Sequence, residues 1–183
     1  PSILPPGLKF GLDTQGKSDA LDLSLSLSPL GHKLKINESK VSHEMISPFI
    51  GDSVVIKGNF SIEALFSSNL KMTELESGHL LISSKDLQLP AQTIQVLSVP
   101  SLNLKDFQLK ASMEKNQIEV LSLVIGQKDA PLHGNFKGTI KLNKQNKSNS
   151  QINLEGDVKF SESLIKNFGI LNLLLSGKEA KSG

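Results

Sequence analysis

The sequence predicts a mainly β protein. The expected architecture is an antiparallel, curved and highly twisted sheet, built as a meander or a partly open barrel or groove. One or two short helices accompany it, one of them C-terminal. Three observations carry this reading. Between 102 and 142, apolar residues recur at every second position: 102 and 104, then 107, 109, 111 and 113, then 132, 136, 140 and 142, with Gly134 and Gly138 in the same parity. Period two puts one face of a strand on a core and the other in water. Leu21, Leu23, Leu25 and Leu27 alternate with Asp and Ser in the same way. The turn signals between such runs are short, as in hairpins.

In chain order, residues 1–6 are a Pro-rich lead-in, and Leu8, Phe10 and Leu12 suggest a first strand. A turn over 13–19 leads to the Leu21–27 strand. Pro29 and Gly31 close it, and Leu34 and Ile36 belong to the return strand. From 39 to 50, Val41, Met45, Ile46 and Phe49 have helical spacing, with Ser42 as N-cap and Pro48 as the stop. After a turn at Gly51 and Asp52, alternation resumes through Val54, Ile56, Phe60, Ile62 and Ala64, with Gly58 in register. Residues 66–77 read as a connection. A strand starting at Gly78 runs through Leu80, Ile82, Leu87 and Leu89 to Pro90, and 91–101 read as an irregular extended crossing.

The meander follows. Its first turn lies at 114–117 and its second at the Lys-Asp-Ala-Pro of 128–131. The polar run 144–150 is an exposed hairpin loop, and Ile152, Leu154, Val158 and Phe160 mark the returning strand. Ser161 or Ser163 then caps a helix to 175, striped by Leu164, Ile165, Phe168, Leu171, Leu174 and Leu175, with a polar tail beyond. The total is about nine to eleven strands in one domain over 1–183, with a subdivision at 1–77 and 78–183 as the alternative. The chain opens at Pro1 with no charged leader, and is expected to be a fragment whose signal or anchor lies upstream.

Composition narrows the function. With no Trp, Tyr or Cys and only eight Phe, aliphatic side chains supply nearly all the apolar surface. Such a surface suits packing or acyl chains better than sugars or bases. All twenty basic residues are Lys and the net charge is +2. The absence of Arg forks and of stacking aromatics argues against nucleic acid. An AT-rich genome accounts for the all-Lys choice equally well. Zero Cys excludes disulfides and thiolate chemistry while fixing no compartment. No apolar run approaches the roughly 20 residues of a membrane-spanning helix.

Signs of catalysis are few. Ser-x-x-Lys occurs at Ser68/Lys71, Ser112/Lys115 and Ser163/Lys166, a frequency that 25 Ser and 20 Lys generate by chance, and no Lys-Thr-Gly accompanies it. His32, His43, His79 and His133 are scattered without metal-ligand spacing. Lys-Gly-Asn-Phe at 57–60 echoes His-Gly-Asn-Phe at 133–136, and mid-strand glycines mark bends. Lys105, Lys110, Lys137, Lys141 and Lys159 lie on wet strand faces, where they serve solubility or form a positive rim. No catalytic, cofactor or metal residue is assigned. The candidate site is the apolar core face or groove formed by Leu102, Leu104, Phe107, Leu109, Phe136, Ile140 and Leu142.

Three segments carry a family resemblance: Gly-His-Leu-Leu-Ile-Ser-Ser-Lys-Asp-Leu-Gln-Leu-Pro at 78–90, Val-Pro-Ser-Leu-Asn-Leu at 99–104, and 109–142 with its ending Gly-Asn-Phe-Lys-Gly-Thr-Ile-Lys-Leu. Over 78–175 the chain resembles the type II secretion system protein N (GspN) family, akin in style to AsmA-like periplasmic proteins. The first 77 residues share only the alternating strands. The resemblance implies a periplasmic domain, anchored to the inner membrane in the full-length protein. It implies a non-enzymatic accessory role among other secretion-system proteins, without cofactor. The AsmA-like kinship implies a second reading, a lipid-binding or lipid-transfer module with an aliphatic groove.

Overall fold

The computed structural model describes residues 8–13, 20–28, 31–50, 54–71, 75–94, 97–143 and 149–168. Nine strands form one antiparallel sheet: β1 (Leu8–Asp13), β2 (Ala20–Ser28), β3 (Gly31–Ser42), β4 (Asn59–Ser68), β5 (Leu75–Leu89), β8 (Leu102–Glu114), β9 (Gln117–Ile125), β10 (Leu132–Lys141) and β11 (Gln151–Phe160). They lie in chain order, each beside its predecessor in the sheet. The sheet curves but does not close into a barrel. A small hairpin, β6 (Gln92–Ile94) with β7 (Leu97–Val99), branches off between β5 and β8. Helix α1 (His43–Ile50) sits between β3 and β4, and α2 (Glu162–Asn167) follows β11. The sheet runs without a break across position 77, since β4 pairs with β5 along its length.

The expected meander is present as β8, β9 and β10 with a tight turn at Lys115 and Asn116. Other expectations need correction. Val41 belongs to β3, not to a helix, and lies buried opposite Phe60. Helix α1 does not stop before Pro48 but runs to Ile50. Pro48 removes a single helical hydrogen bond, while Met45 and Ile46 pack on the core and hold the short helix. The connection expected at 66–77 is shorter, because β4 extends to Ser68 and β5 begins at Leu75. The crossing at 91–101 contains the β6–β7 hairpin. Val54 and Ile56 precede β4 rather than forming part of it. Gln92 fastens that segment from both sides, its Nε2 donating to the Val55 carbonyl at 2.8 Å and its Oε1 accepting from the Val55 N–H at 2.7 Å. Ser161 is the α2 cap, accepting from the Leu164 N–H. The stripe positions Leu171, Leu174 and Leu175 lie outside the described residues.

The register bends at bulges, and two buried serines satisfy the backbone there. The pairings of β3 with both β2 and β4 slip next to Ser39. Its hydroxyl donates to the Asn37 carbonyl at 2.7 Å and accepts from the Asp22 N–H at 2.9 Å. The β5–β8 pairing slips after Ser84, whose hydroxyl binds the Asp86 carboxylate at 3.0 Å. On β8, Lys105 takes up this slip with a φ of 60°. That left-handed residue explains why the apolar parity changes between Leu104 and Phe107. Glycines elsewhere make room for rings. A Cβ on Gly78 would run into the Phe66 ring, and one on Gly134 would come within 2.7 Å of the Phe136 ring. The Gly-Asn-Phe echo is therefore no structural repeat. Gly58 has a φ of 140° ahead of its strand, whereas Gly134 lies inside β10 beneath an aromatic ring.

Asp86 locks the β4 entry onto β5. One carboxylate oxygen accepts the Asn59 backbone N–H at 2.8 Å and the other its side-chain amide at 2.7 Å. Slight burial pushes this carboxyl up, but the Asn59 and Ser84 hydrogen bonds outweigh it and hold the carboxyl below the ordinary value of 3.8. A depressed folded value means that the stabilisation is complete above the ordinary value and disappears as pH falls through the folded one. Asp86→Ala is expected to cost about 1 kcal/mol at neutral pH. Urea titrations between pH 2 and 7 check this; the wild-type advantage over the variant must shrink at the acid end, and a pH-independent gap contradicts the clamp.

Candidate functional site: an open apolar sheet face

Opposed residues in an antiparallel sheet share a face, so the register lays out rows of side chains across the strands. One row is Val41, Phe60, Ser84, Phe107 and Ile125. This is the seat of the core. Phe60 and Phe107 meet edge to face, ring centres 6.1 Å apart. Leu87, Leu102, Leu104 and Leu164 complete the buried cluster, with Met45 and Ile46 of α1 and Phe168 after α2 packed against it. Both helices and the branched hairpin thus gather at one end of the sheet.

The apolar face continues beyond that cap. The next row is Ile62, Ile82, Leu109, Leu123 and Phe136, all half-buried. After it comes a row of smaller residues, with Ala64, Ala111, Val120 and Gly138 beside Leu80. The last row is Leu34, Phe66, Met113, Ile118, Ile140 and Ile152, with Gly78 beneath Phe66. Ile152 is 69% exposed. Six residues of β4 separate the first row from the last, roughly 20 Å at the rise of a strand. Ala64, Ala111 and Val120 of this middle row are buried.

The seven residues singled out in the sequence divide along this axis. Leu102, Leu104 and Phe107 belong to the capped core. Leu109 and Phe136 share the first row beyond it, and Ile140 lies in the last. Leu142 is past the end of β10, 41% exposed, its N–H donating to the Asn116 carbonyl. Sequence reasoning passed over Ile62, Ile82, Leu80, Met113 and Leu123 as members of the same surface. Their alternation was visible, but their cross-strand neighbours were not.

The opposite face is wet. Lys35, Glu63, His79, Lys110, Glu119 and Lys137 stand on it, with Leu65 and Leu121 as exposed apolar exceptions. A depression of about 600 Å³ opens here between Glu76, His79, Ser112, Glu114, Lys115 and Glu119. It is wide, and its lining is as polar as it is apolar, whereas a typical small-molecule pocket is mostly apolar. Two of the four histidines contact the backbone: His133 Nδ1 lies 2.7 Å from the Gly126 carbonyl and His32 Nε2 lies 2.9 Å from that of Leu70. Of the Ser-x-x-Lys pairs, that on α2 has Lys166 beside Glu162 and Ser163 beside Ser161. Among the described residues, no three His, Asp or Glu side chains gather as metal ligands, and no helix is long and apolar enough to cross a membrane. No protein-family model, curated protein or solved structure matches the chain.

Capped and open parts of the face should differ in stability. Leu104→Ala is expected to cost about 2–5 kcal/mol as a buried core truncation, and Ile140→Ala less than about 1.5 kcal/mol. Urea unfolding of both variants checks the division; equal costs would mean that the last row is core.

Proposed function

We propose that this chain is a non-enzymatic binding module whose open apolar sheet face receives the acyl chains of lipid. The observation that carries this reading is the run of apolar rows beyond the capped core, half-buried next to it, buried at Ala64, Ala111 and Val120, and partly exposed again in the last row. The rows are continuous across five strands and have no polar side chain. A contiguous apolar surface of this kind is a site of contact rather than ordinary solvent surface. Aliphatic chains match it chemically, since it offers no hydrogen-bond partner to fix a sugar, base or peptide backbone.

Native mass spectrometry of the purified chain, together with uptake of a fluorescent fatty acid, tests the reading. Bound lipid or saturable uptake is expected. Leu109→Glu with Leu123→Glu, which places two charges in the row beyond the core, should weaken uptake tenfold or more. A protein that carries no lipid and takes up no fatty acid rules it out.

The resemblance to the type II secretion system protein N family suggests a second reading, an accessory component of a secretion apparatus in the periplasm, tethered to the inner membrane. Strand β11 favours it. Among the described residues β11 pairs only with β10, and its alternating sequence leaves an edge on which a partner strand adds by backbone hydrogen bonds. A photo-crosslinking residue at Asn153 is expected to capture a secretion-system protein in the source cells. Recovery of only uncrosslinked chain would count against this setting while leaving the lipid reading intact.

A further inference from the structure

We propose that the open end of the sheet is a docking surface for an anionic lipid bilayer, an inference that rests on the reading of the apolar face as an acyl site. This end is where β2, β4, β8 and β10 finish and β3, β5, β9 and β11 begin. Hydrogen bonds stitch them into one rim. His32 Nε2 reaches the Leu70 carbonyl at 2.9 Å, the Lys115 N–H donates to the Glu76 carbonyl at 2.9 Å, and the Leu142 N–H donates to the Asn116 carbonyl at 2.8 Å.

Large apolar side chains stand in water along this rim. Leu70 is 57% exposed, Leu75 46% and Leu142 41%; Leu34 and Ile152, in the adjoining row, are 37% and 69% exposed. These are five of the nine most exposed large hydrophobics among the described residues. None belongs to the core cluster, so packing does not account for them. Lysines adjoin the leucines: Lys71 follows Leu70, Lys141 precedes Leu142, and Lys115 lies in the turn between. Leucines that enter the headgroup boundary, with flexible lysine stems carrying ammonium groups to lipid phosphate, are the chemistry of an interfacial anchor. Glu76 and Glu114 stand on the same rim and moderate the attraction, so insertion of the leucines must share the work.

The placement also connects the two surfaces. The last apolar row ends directly at the rim, while the other end of the sheet is closed by helices and by the β6–β7 hairpin. A chain drawn from a bilayer at the rim meets apolar side chains at once. A protein partner fits less well, because the leucines are strung along successive turns instead of converging on a pocket.

Flotation with vesicles of equimolar phosphatidylglycerol and phosphatidylcholine, against vesicles of phosphatidylcholine alone, tests the proposal. The chain is expected to float with the anionic vesicles and far less with the neutral ones. Replacing Lys71, Lys115 and Lys141 together by Gln should weaken partitioning roughly a hundredfold, and Leu70→Ser with Leu75→Ser roughly tenfold. Neither set should alter fatty-acid uptake or the circular dichroism spectrum. Wild-type protein that stays in solution with both vesicles, or variants that float as well as wild type, overturns the docking surface. Uptake without flotation rejects the rim alone, and flotation without uptake rejects the acyl reading of the face alone.

Discussion

The structure depends on a mismatch of reach. A sheet with one apolar face must cover that face or leave it in contact with something other than water. Here the cover is small. Two short helices and a hairpin seat on the row holding Phe60 and Phe107, where the buried leucines converge. Three further rows extend past them. Stability is concentrated at the capped end, and the surface available for binding lies at the other. The same alternation of residues that specifies the strands therefore supplies both the core and the site, according to where the cover stops.

The capped end holds several departures from a regular ladder. It holds the slips at Ser39 and Ser84, the left-handed Lys105 and the positive φ of Gly58. Each departure is matched by a polar partner, whether the two serine hydroxyls, the Asp86 carboxylate or the Gln92 amide. Backbone groups left without a partner in such a region would cancel the benefit of packing side chains there. These fastenings bring the strands into the geometry on which the helices can sit. At the open end single hydrogen bonds join neighbouring connections, which suits an edge that meets solvent or another surface.

Much of this fold was legible in the sequence where local periodicity suffices. The alternations at Leu21–27 and through 102–142 led directly to strands, and the change of parity between Leu104 and Phe107 was a visible trace of the bulge at Lys105. Features that depend on distant partners were not legible. Nothing near Val55 announces Gln92, 37 positions away, and nothing near Asn59 announces Asp86, 27 positions away. Pro48 misled because local propensity was weighed without the tertiary contacts of Met45 and Ile46. For the candidate site, period two identified apolar residues bound for a common face. It could not say that the cap would bury Leu102 and Leu104 yet leave Ile140 open, since that is decided by where β5 and β8 place α1 and α2.

Next-neighbour strand order has a consequence for how such a molecule changes over time. Every main-sheet pairing joins consecutive strands, apart from the one interrupted by the small hairpin. A duplicated or deleted pair of strands near β10 and β11 would alter few existing partners and thread nothing through the rest. The span across the strands is in this sense a modular quantity, adjustable two strands at a time while the clamps around Phe60 are inherited intact.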